Sequence, residues 1–261
     1  MEHPWTTALV TGASSGIGEA VARQLVAAGV AVALVARRAD RLDSLAAELR
    51  AGGAASVEVL VADLTVDADL ATVVDRLADP ARPIDLLVNC AGLGAAGPFA
   101  DSEPATSQHI IDLNVSALVA LTHAAVLPMT QRDRGWILNV SSLGGHTPGP
   151  SFAVYSASKA FVTSFSESLH EELRGTGVHV TVACPGATHT EFGATSGADG
   201  GDLPAFLWQT ADAVARESLA AAAAGKAVRV TGLLNRVTAA ITTVLPRSAN
   251  RRLAGLVTDQ L

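Results

Sequence analysis

Seven short apolar runs punctuate this chain, at 7–10, 31–35, 57–61, 84–88, 136–140, 179–183 and 227–230. Most are continuous, not alternating, which is the pattern of strands covered on both faces, as in a parallel sheet. Between them lie longer stretches rich in Ala, Leu, Arg and Glu, such as 41–50 and 152–174, that read as helices. Strands alternating with helices predict an α/β fold: a doubly wound, Rossmann-type parallel sheet of seven strands with helices on both faces. These elements consume nearly all of the 261 residues, and neither a linker nor an internal repeat interrupts them. One domain over 1–261 is therefore expected. With 49% hydrophobic and 16% charged residues, the chain has material for a large core and is not a disordered polymer.

Charge narrows the partners. The net charge is −7 and no Lys/Arg-rich block is present, so no nucleic-acid partner is expected. Cys90 and Cys184 each end an apolar run and read as buried, reduced thiols. No disulfide framework and no secretory pattern at the N-terminus point to a cytoplasmic protein. No apolar run approaches the ~20 residues of a membrane span. No metal site is expected.

The first strand leads into Thr11-Gly12-Ala13-Ser14-Ser15-Gly16-Ile17-Gly18, and a helical pattern follows over 19–28. Glycines at such a junction let the chain turn tightly and bring backbone N–H groups close to a phosphate. The helix N-terminus adds positive potential. A glycine triplet is weak evidence alone; the strand before it and the helix after it supply the context that such a motif needs.

A second constellation follows the fifth strand, which closes on Ser141-Ser142. Tyr155 lies thirteen residues beyond Ser142, and Lys159 four beyond Tyr155. On a helix over 152–174 these two share a face. The Gly/Pro-rich segment 144–151 leaves room for Ser142 to turn toward them. A free phenol has a pKa near ~10, and a neighbouring ammonium favours the phenolate. Tyr155, the only tyrosine in the chain, is thereby expected to move toward neutral pH, where a general acid–base group works best.

Taken together, Thr-Gly-x3-Gly-Ile-Gly and the Ser142/Tyr155/Lys159 spacing resemble the short-chain dehydrogenase/reductase family, over roughly residues 7 to 230. The resemblance implies an oxidoreductase that moves a hydride between a nicotinamide cofactor and a carbonyl or alcohol. Tyr155 would be the acid/base, Ser142 would hold the carbonyl oxygen, and Lys159 would also bond the nicotinamide ribose. Asn114, inside the helical pattern 107–125, would hold a water that links Lys159 to solvent. Gly12, Ser14, Ser15, Gly16, Ile17 and Gly18 would cradle the pyrophosphate. Asp63, followed by Leu64, would meet the adenine edge. Asn89-Cys90-Ala91-Gly92 stands where the family usually has Asn-Asn-Ala-Gly; Cys90 is a departure, while Asn89, Ala91 and Gly92 would flank the adenosine half. Pro185-Gly186-Ala187-Thr188-His189-Thr190 resembles Pro-Gly-x3-Thr, whose backbone and last threonine would hold the carboxamide. Family members commonly pair through the helices bearing Asn114 and Tyr155, which implies a homodimer or homotetramer.

The second strand ends in Val35-Ala36-Arg37-Arg38, and no carboxylate follows until Asp40. An acidic residue here would read ribose hydroxyls, whereas arginine accommodates a 2′-phosphate. Arg37 and Arg38 therefore point to NADP(H), with Arg37 as the main contact, unless both merely lie on a solvated helix start.

The loop 186–210 is expected to line the substrate pocket. Leu143, Phe152, Phe192, Phe206, Leu207 and Trp208 are its candidate walls, and the loop stretches between 144 and 209 hold no Lys or Arg. An anionic substrate would call for such a partner, so an apolar ketone, aldehyde or secondary alcohol is expected. His146 and His189 are set aside as acids for want of a partner. The tail 232–261 has apolar residues at helical spacing with several arginines. It reads as a helix on the core or on a second subunit, or as an amphipathic segment at a membrane or substrate entrance. A different enzyme class on this scaffold and a non-catalytic nucleotide sensor remain as alternatives. The intact glycine motif and Lys159 count against the first, and the intact Ser-Tyr-Lys set against the second.

Overall fold

The computed structural model describes residues 3–198 and 204–258. The first half runs β1 (Thr7–Thr11), α1 (Gly16–Ala27), β2 (Ala31–Ala36), α2 (Ala39–Ala51), β3 (Val57–Val61), α3 (Asp67–Ala78) and β4 (Leu86–Asn89). Then α4 (Pro104–Ile111) passes through a π-helical turn, Asp112–Ala117, into α5 (Leu118–Gln131). β5 (Gly135–Val140), α6 (Ala153–Glu172) and β6 (Val178–Cys184) follow. The remainder comprises β7 (Thr188–His189), α7 (Phe192–Ser196), β8 (Gln209–Thr210), α8 (Ala211–Ala223), β9 (Val228–Val230), α9 (Leu233–Val244) and α10 (Arg247–Thr258).

Seven strands form one parallel sheet in the order β3-β2-β1-β4-β5-β6-β9, as the alternating pattern predicts. The order reverses between β1 and β4, and a ligand crevice belongs outside the carboxyl ends at that switch point. The continuous apolar runs are explained by two cores. Val10, Leu34, Val88 and Leu138 face Leu25, Leu42 and Leu219 of α1, α2 and α8. Their neighbours Leu9, Val35, Leu87 and Ile137 face Leu77, Leu121 and Met129 of α3 and α5. Successive strand residues point to opposite faces, so a sheet covered on both sides needs apolar residues at every position. Each fully buried Leu or Val contributes ~1.5–3 kcal/mol against exposure.

Three features depart from the sequence reading. The helical stretch Pro104–Gln131 is by length and composition apolar enough to cross a membrane, although no such run is evident in the sequence. It lies on the sheet, burying Ala117, Leu121, Ala125 and Met129 in the core. The substrate loop is pinned at its base by a two-stranded parallel ribbon, β7 with β8; part of that loop, 199–203, falls outside the described residues. The tail forms two helices joined by Asn250, whose amide donates to the Thr242 carbonyl at 2.7 Å. Leu233, Leu234, Val237, Ile241 and Val244 stay exposed on α9, so along that face the tail does not cover this chain's core. Residues 259–261 of the tail lie outside the described residues.

Candidate active site

A cleft of about 880 Å³ opens along the carboxyl edge of the sheet. Its first wall is the glycine loop. Gly12 has φ +67°, and a Cβ there would stand 2.9 Å from the Ala91 amide nitrogen, so glycine lets the β1 and β4 ends close up. A Cβ on Gly18 would strike the Gly12 carbonyl. Thr11 fixes the same junction: its Oγ1 accepts the N–H groups of Cys90 and Ala91, both at 3.0 Å. Helix α1 begins at Gly16 behind Ser15, whose side chain makes no cap, so the first-turn N–H groups are left to a ligand. Ser15, Gly16, Ile17 and Gly18 all line the cleft. A glycine-lined cradle at a helix N-terminus fits a pyrophosphate.

Beyond the ends of β2 and β3, Arg37, Arg38, Asp63 and Leu64 line one end of the cleft, where the resemblance puts the adenosine. Asp63 Oδ1 accepts the Thr65 N–H and hydroxyl at 3.0 and 2.7 Å. Its Oδ2 lies 3.7 Å from Arg37. Burial pushes the Asp63 carboxyl up, but the Thr65 hydrogen bonds and the Arg37 charge outweigh it and hold the group below its ordinary value.

At the other end stand Ser142, Tyr155 and Lys159. The Ser142 hydroxyl accepts the Gly144 N–H at 3.1 Å and lies on the Tyr155 side of the cleft, where it favours the ionised phenol. Its neighbour Ser141 turns the other way, donating to the Lys159 carbonyl at 2.7 Å. Lys159 is buried; its ammonium donates to the Val140 carbonyl at 3.0 Å and lies 5.8 Å from the centre of the Tyr155 ring. Burial pushes the Tyr155 phenol above its ordinary value, against the opposing pull of the Ser142 hydroxyl. Burial likewise pushes Lys159 down to about 8. The expected lowering of the Tyr155 pKa by Lys159 is therefore not met in this structure: desolvation disfavours both charged forms.

Asn114 sits in the π-helical turn, a distortion frequent at functional sites. Its side chain does not line the cleft. It holds the backbone of Leu93, which does, and donates to Ser158 Oγ at 3.0 Å. A Cβ on Gly92 would stand 3.2 Å from Lys159 Nζ and 3.3 Å from Asn114 Oδ1, so this glycine lets the two approach.

Ala91, Gly92, Pro185, Gly186, Thr188 and Thr190 line the cleft as expected. Thr190 closes over the glycine loop, its Cγ2 2.9 Å from where a Gly16 Cβ would be. Phe152, Phe192 and Trp208 wall the reacting end, with ring centres of Phe152 and Phe192 at 6.0 and 5.2 Å from Tyr155. Besides Asn114, four residues are not brought to the cleft: Asn89, Leu143, Phe206 and Leu207. Asn89 turns into the core, donating to Thr122 Oγ1 and Asn139 Oδ1 at 3.0 and 2.9 Å, so it braces β4 against β5 and does not flank a ligand. Leu143 does not line the cleft: its N–H donates to the Pro185 carbonyl on a 3₁₀ turn. Phe206 points to solvent, 71% exposed. Glu191 and Leu93 line the cleft without having been singled out in the sequence, and Cys90 lines it too. Burial raises the Cys90 thiol to about 11, which keeps it protonated. His189 stacks on Trp208 at 4.7 Å, away from an acid's position.

The family model for short chain dehydrogenases matches residues 6–200. A sulfoacetaldehyde reductase of Chromohalobacter salexigens is 40% identical over 186 residues, which is 70% of this chain and 73% of that protein. The chain spans 61% of the length of a curated short chain dehydrogenase of Pseudocercospora fijiensis and 88% of that of an oxidoreductase of Staphylococcus epidermidis. A short-chain dehydrogenase from Sphingobium yanoikuyae, solved in complex with NADPH, superposes with a TM-score of 0.82 at 35% identity, covering 92% of this chain and 96% of that one. The bulky-bulky ketone specific alcohol dehydrogenase from Comamonas testosteroni gives 0.79 at 30% identity over 93% and 95% of the two chains. A doubly wound sheet with a phosphate cradle at its switch point defines a nucleotide-binding fold. The chain belongs to the short-chain dehydrogenase/reductase family.

Proposed function

We propose that this protein is an NADP(H)-dependent carbonyl reductase or alcohol dehydrogenase acting on apolar ketones, aldehydes or secondary alcohols. The observation that carries this reading is the meeting of Ser142, Tyr155 and Lys159 in one cleft beside the aromatic walls Phe152 and Phe192. The nicotinamide cofactor, when bound, supplies or accepts the hydride. Tyr155 gives its phenolic proton to the carbonyl oxygen during reduction and takes it back in oxidation. Ser142 holds that oxygen by a hydrogen bond. Lys159, tied to the end of β5 through Val140, stands behind the phenol as the source of its replacement proton. Asn114 positions Leu93 above it.

Cofactor preference follows from the two arginines at the adenosine end, where no carboxylate stands in the ribose-reading position at the end of β2. The relative solved with NADPH supports it. The aromatic pocket supports an apolar substrate: among the described residues lining the cleft, the only cations are Arg37, Arg38 and Lys159. The Chromohalobacter relative is named for a sulfonated aldehyde; here no arginine lines the reacting end to meet a sulfonate. The Comamonas relative, named for bulky ketones, accords with the aromatic walls. Exposed Leu127 and Phe161 on α5 and α6 support pairing of chains through those helices.

The test is a panel of carbonyl compounds followed at 340 nm with NADPH and NADH. Aryl and branched-alkyl ketones with NADPH should give the highest kcat/KM. A preference for NADH removes the cofactor assignment. Faster turnover of small anionic aldehydes removes the substrate class, and no turnover with binding intact leaves a nucleotide sensor.

A further inference from the structure

The glycine loop and the loop after β6 form opposite walls of the cleft, and one side chain bridges them. Glu191 directly follows Thr190. Its carboxylate lies 2.8 Å from Arg38 Nη1 and 3.6 Å from Arg41 Nη2, and it lines the cleft with Ser14 and Ser15 of the glycine loop. The other donors of Arg38 go to Ser14: Nε and Nη2 reach its Oγ at 3.3 and 3.2 Å, and Nη2 its carbonyl at 3.2 Å. The guanidinium thus already holds an anion, and that anion is the protein's own. The Arg38 hydrogen bond keeps the Glu191 carboxyl below its ordinary value, so it is ionised at neutral pH.

The clasp is built to be exchanged. Arg38, Arg41 and Glu191 are 40%, 58% and 43% exposed, and an ion pair that open to water is weak. A phosphate dianion offers arginine more charge and more acceptor oxygens than a carboxylate does. Glu191 also sits at the start of α7, next to Phe192 of the reacting-end wall, so what holds Glu191 holds that wall.

We propose that Glu191 is a displaceable internal occupant of a 2′-phosphate subsite formed by Ser14, Arg38 and Arg41. Arrival of a 2′-phosphate exchanges the carboxylate off Arg38 and releases the loop bearing Thr190 and Phe192 from the adenosine wall. Ligands lacking that phosphate leave the clasp shut. The inference rests on the NADP(H) reading and adds a residue that sets how strongly the phosphate is favoured. Its logic is that of a binding-competent state present only in part: removing the competitor tightens the ligand that needs the subsite.

The test uses adenosine 2′,5′-bisphosphate and 5′-AMP, titrated calorimetrically into the wild type and Glu191→Gln. The bisphosphate should tighten by roughly 3- to 10-fold in the variant, while 5′-AMP changes less than about twofold. Hydrogen exchange supplies a second reading. In the wild type the bisphosphate, but not 5′-AMP, should speed exchange across 188–198; in Glu191→Gln that segment should exchange fast without ligand. Equal tightening of both ligands, or weaker bisphosphate binding in the variant, overturns the inference. If the wild type prefers the bisphosphate and the variant keeps the same preference, only the role of Glu191 fails. If the wild type binds both ligands alike, the NADP(H) reading fails and takes the inference with it.

Discussion

The carboxamide of Asn114 clasps the backbone of Leu93 from both sides: Oδ1 accepts its N–H and Nδ2 donates to its carbonyl, each at 2.8 Å. Asn114 is almost wholly buried, and Leu93 lines the cleft beside Gly92. Asn114→Ala leaves both backbone groups short of a partner, at ~1–3 kcal/mol for each one left unsatisfied. The variant should lose about 2–4 kcal/mol in urea denaturation. It should lose kcat more than cofactor affinity, because the site shifts near Lys159 and not at the phosphates. An unchanged midpoint would show that the clasp is not structural.

Tyr155→Phe tests the reacting centre with little change in packing. The ring lies between Phe152 and Phe192 and keeps those contacts, while the phenolic hydroxyl is removed. General acid–base catalysis contributes ~10²–10⁴-fold, so kcat should fall by at least about 100-fold. The Kd for NADPH by fluorescence titration should stay within about threefold. Retained turnover would place the proton donor elsewhere.

Much of this was legible in the residue order because strands buried on both faces write themselves as unbroken apolar runs. The phosphate cradle was legible because Gly12 and Gly18 are demanded by close backbone approach. Roles that depend on where a side chain turns were not. Asn89 and Asn139 sit at paired positions of β4 and β5, and only that register makes Asn89 a core brace. Ser141 and Ser142 are identical in sequence, yet one is fixed in the core and the other faces Tyr155. The Glu191–Arg38 pair joins residues 153 positions apart, beyond the reach of any local pattern. The sign of the Tyr155 shift depends on how deeply the helix face is buried, which spacing does not encode.

Burial of Lys159 makes stability depend on pH in a definite direction. Its folded pKa is about 8, against an ordinary value of 10.5. Below about 8 both the folded and unfolded forms carry the proton, and the folded protein bears the whole desolvation cost. Between these values the unfolded chain binds more protons, so stability rises with pH. Tyr155 acts oppositely, but only above its ordinary value of 10. Relative to Lys159→Met, the wild type should therefore gain about 2 kcal/mol in urea denaturation between about pH 7.5 and 9.5. A flat or falling difference over that range would mean the ammonium is solvated.

Gly94 offers a way to change the pocket wall while leaving every reacting side chain in place. A Cβ there would stand 2.6 Å from Phe192 Cζ and 3.3 Å from Tyr155 Cδ2. The first separation is too short to persist, and the atom met is the tip of the Phe192 ring, so Phe192 should swing aside and leave the backbone in place. The Tyr155 contact is tight but needs only a few tenths of an ångström. Gly94→Ala should accordingly fold with a melting temperature within a few degrees of the wild type. Because Phe192 forms one aromatic wall, KM for aryl ketones should rise about 5- to 20-fold, matching a loss of ~1–2 kcal/mol of apolar contact. KM for a small aliphatic ketone should move little, and the Kd for NADPH should move less than KM for aryl ketones, since Gly94 does not line the phosphate cradle. A uniform loss across substrates would instead mean that Tyr155 itself had been displaced, and that the Phe192 wall does not set substrate size.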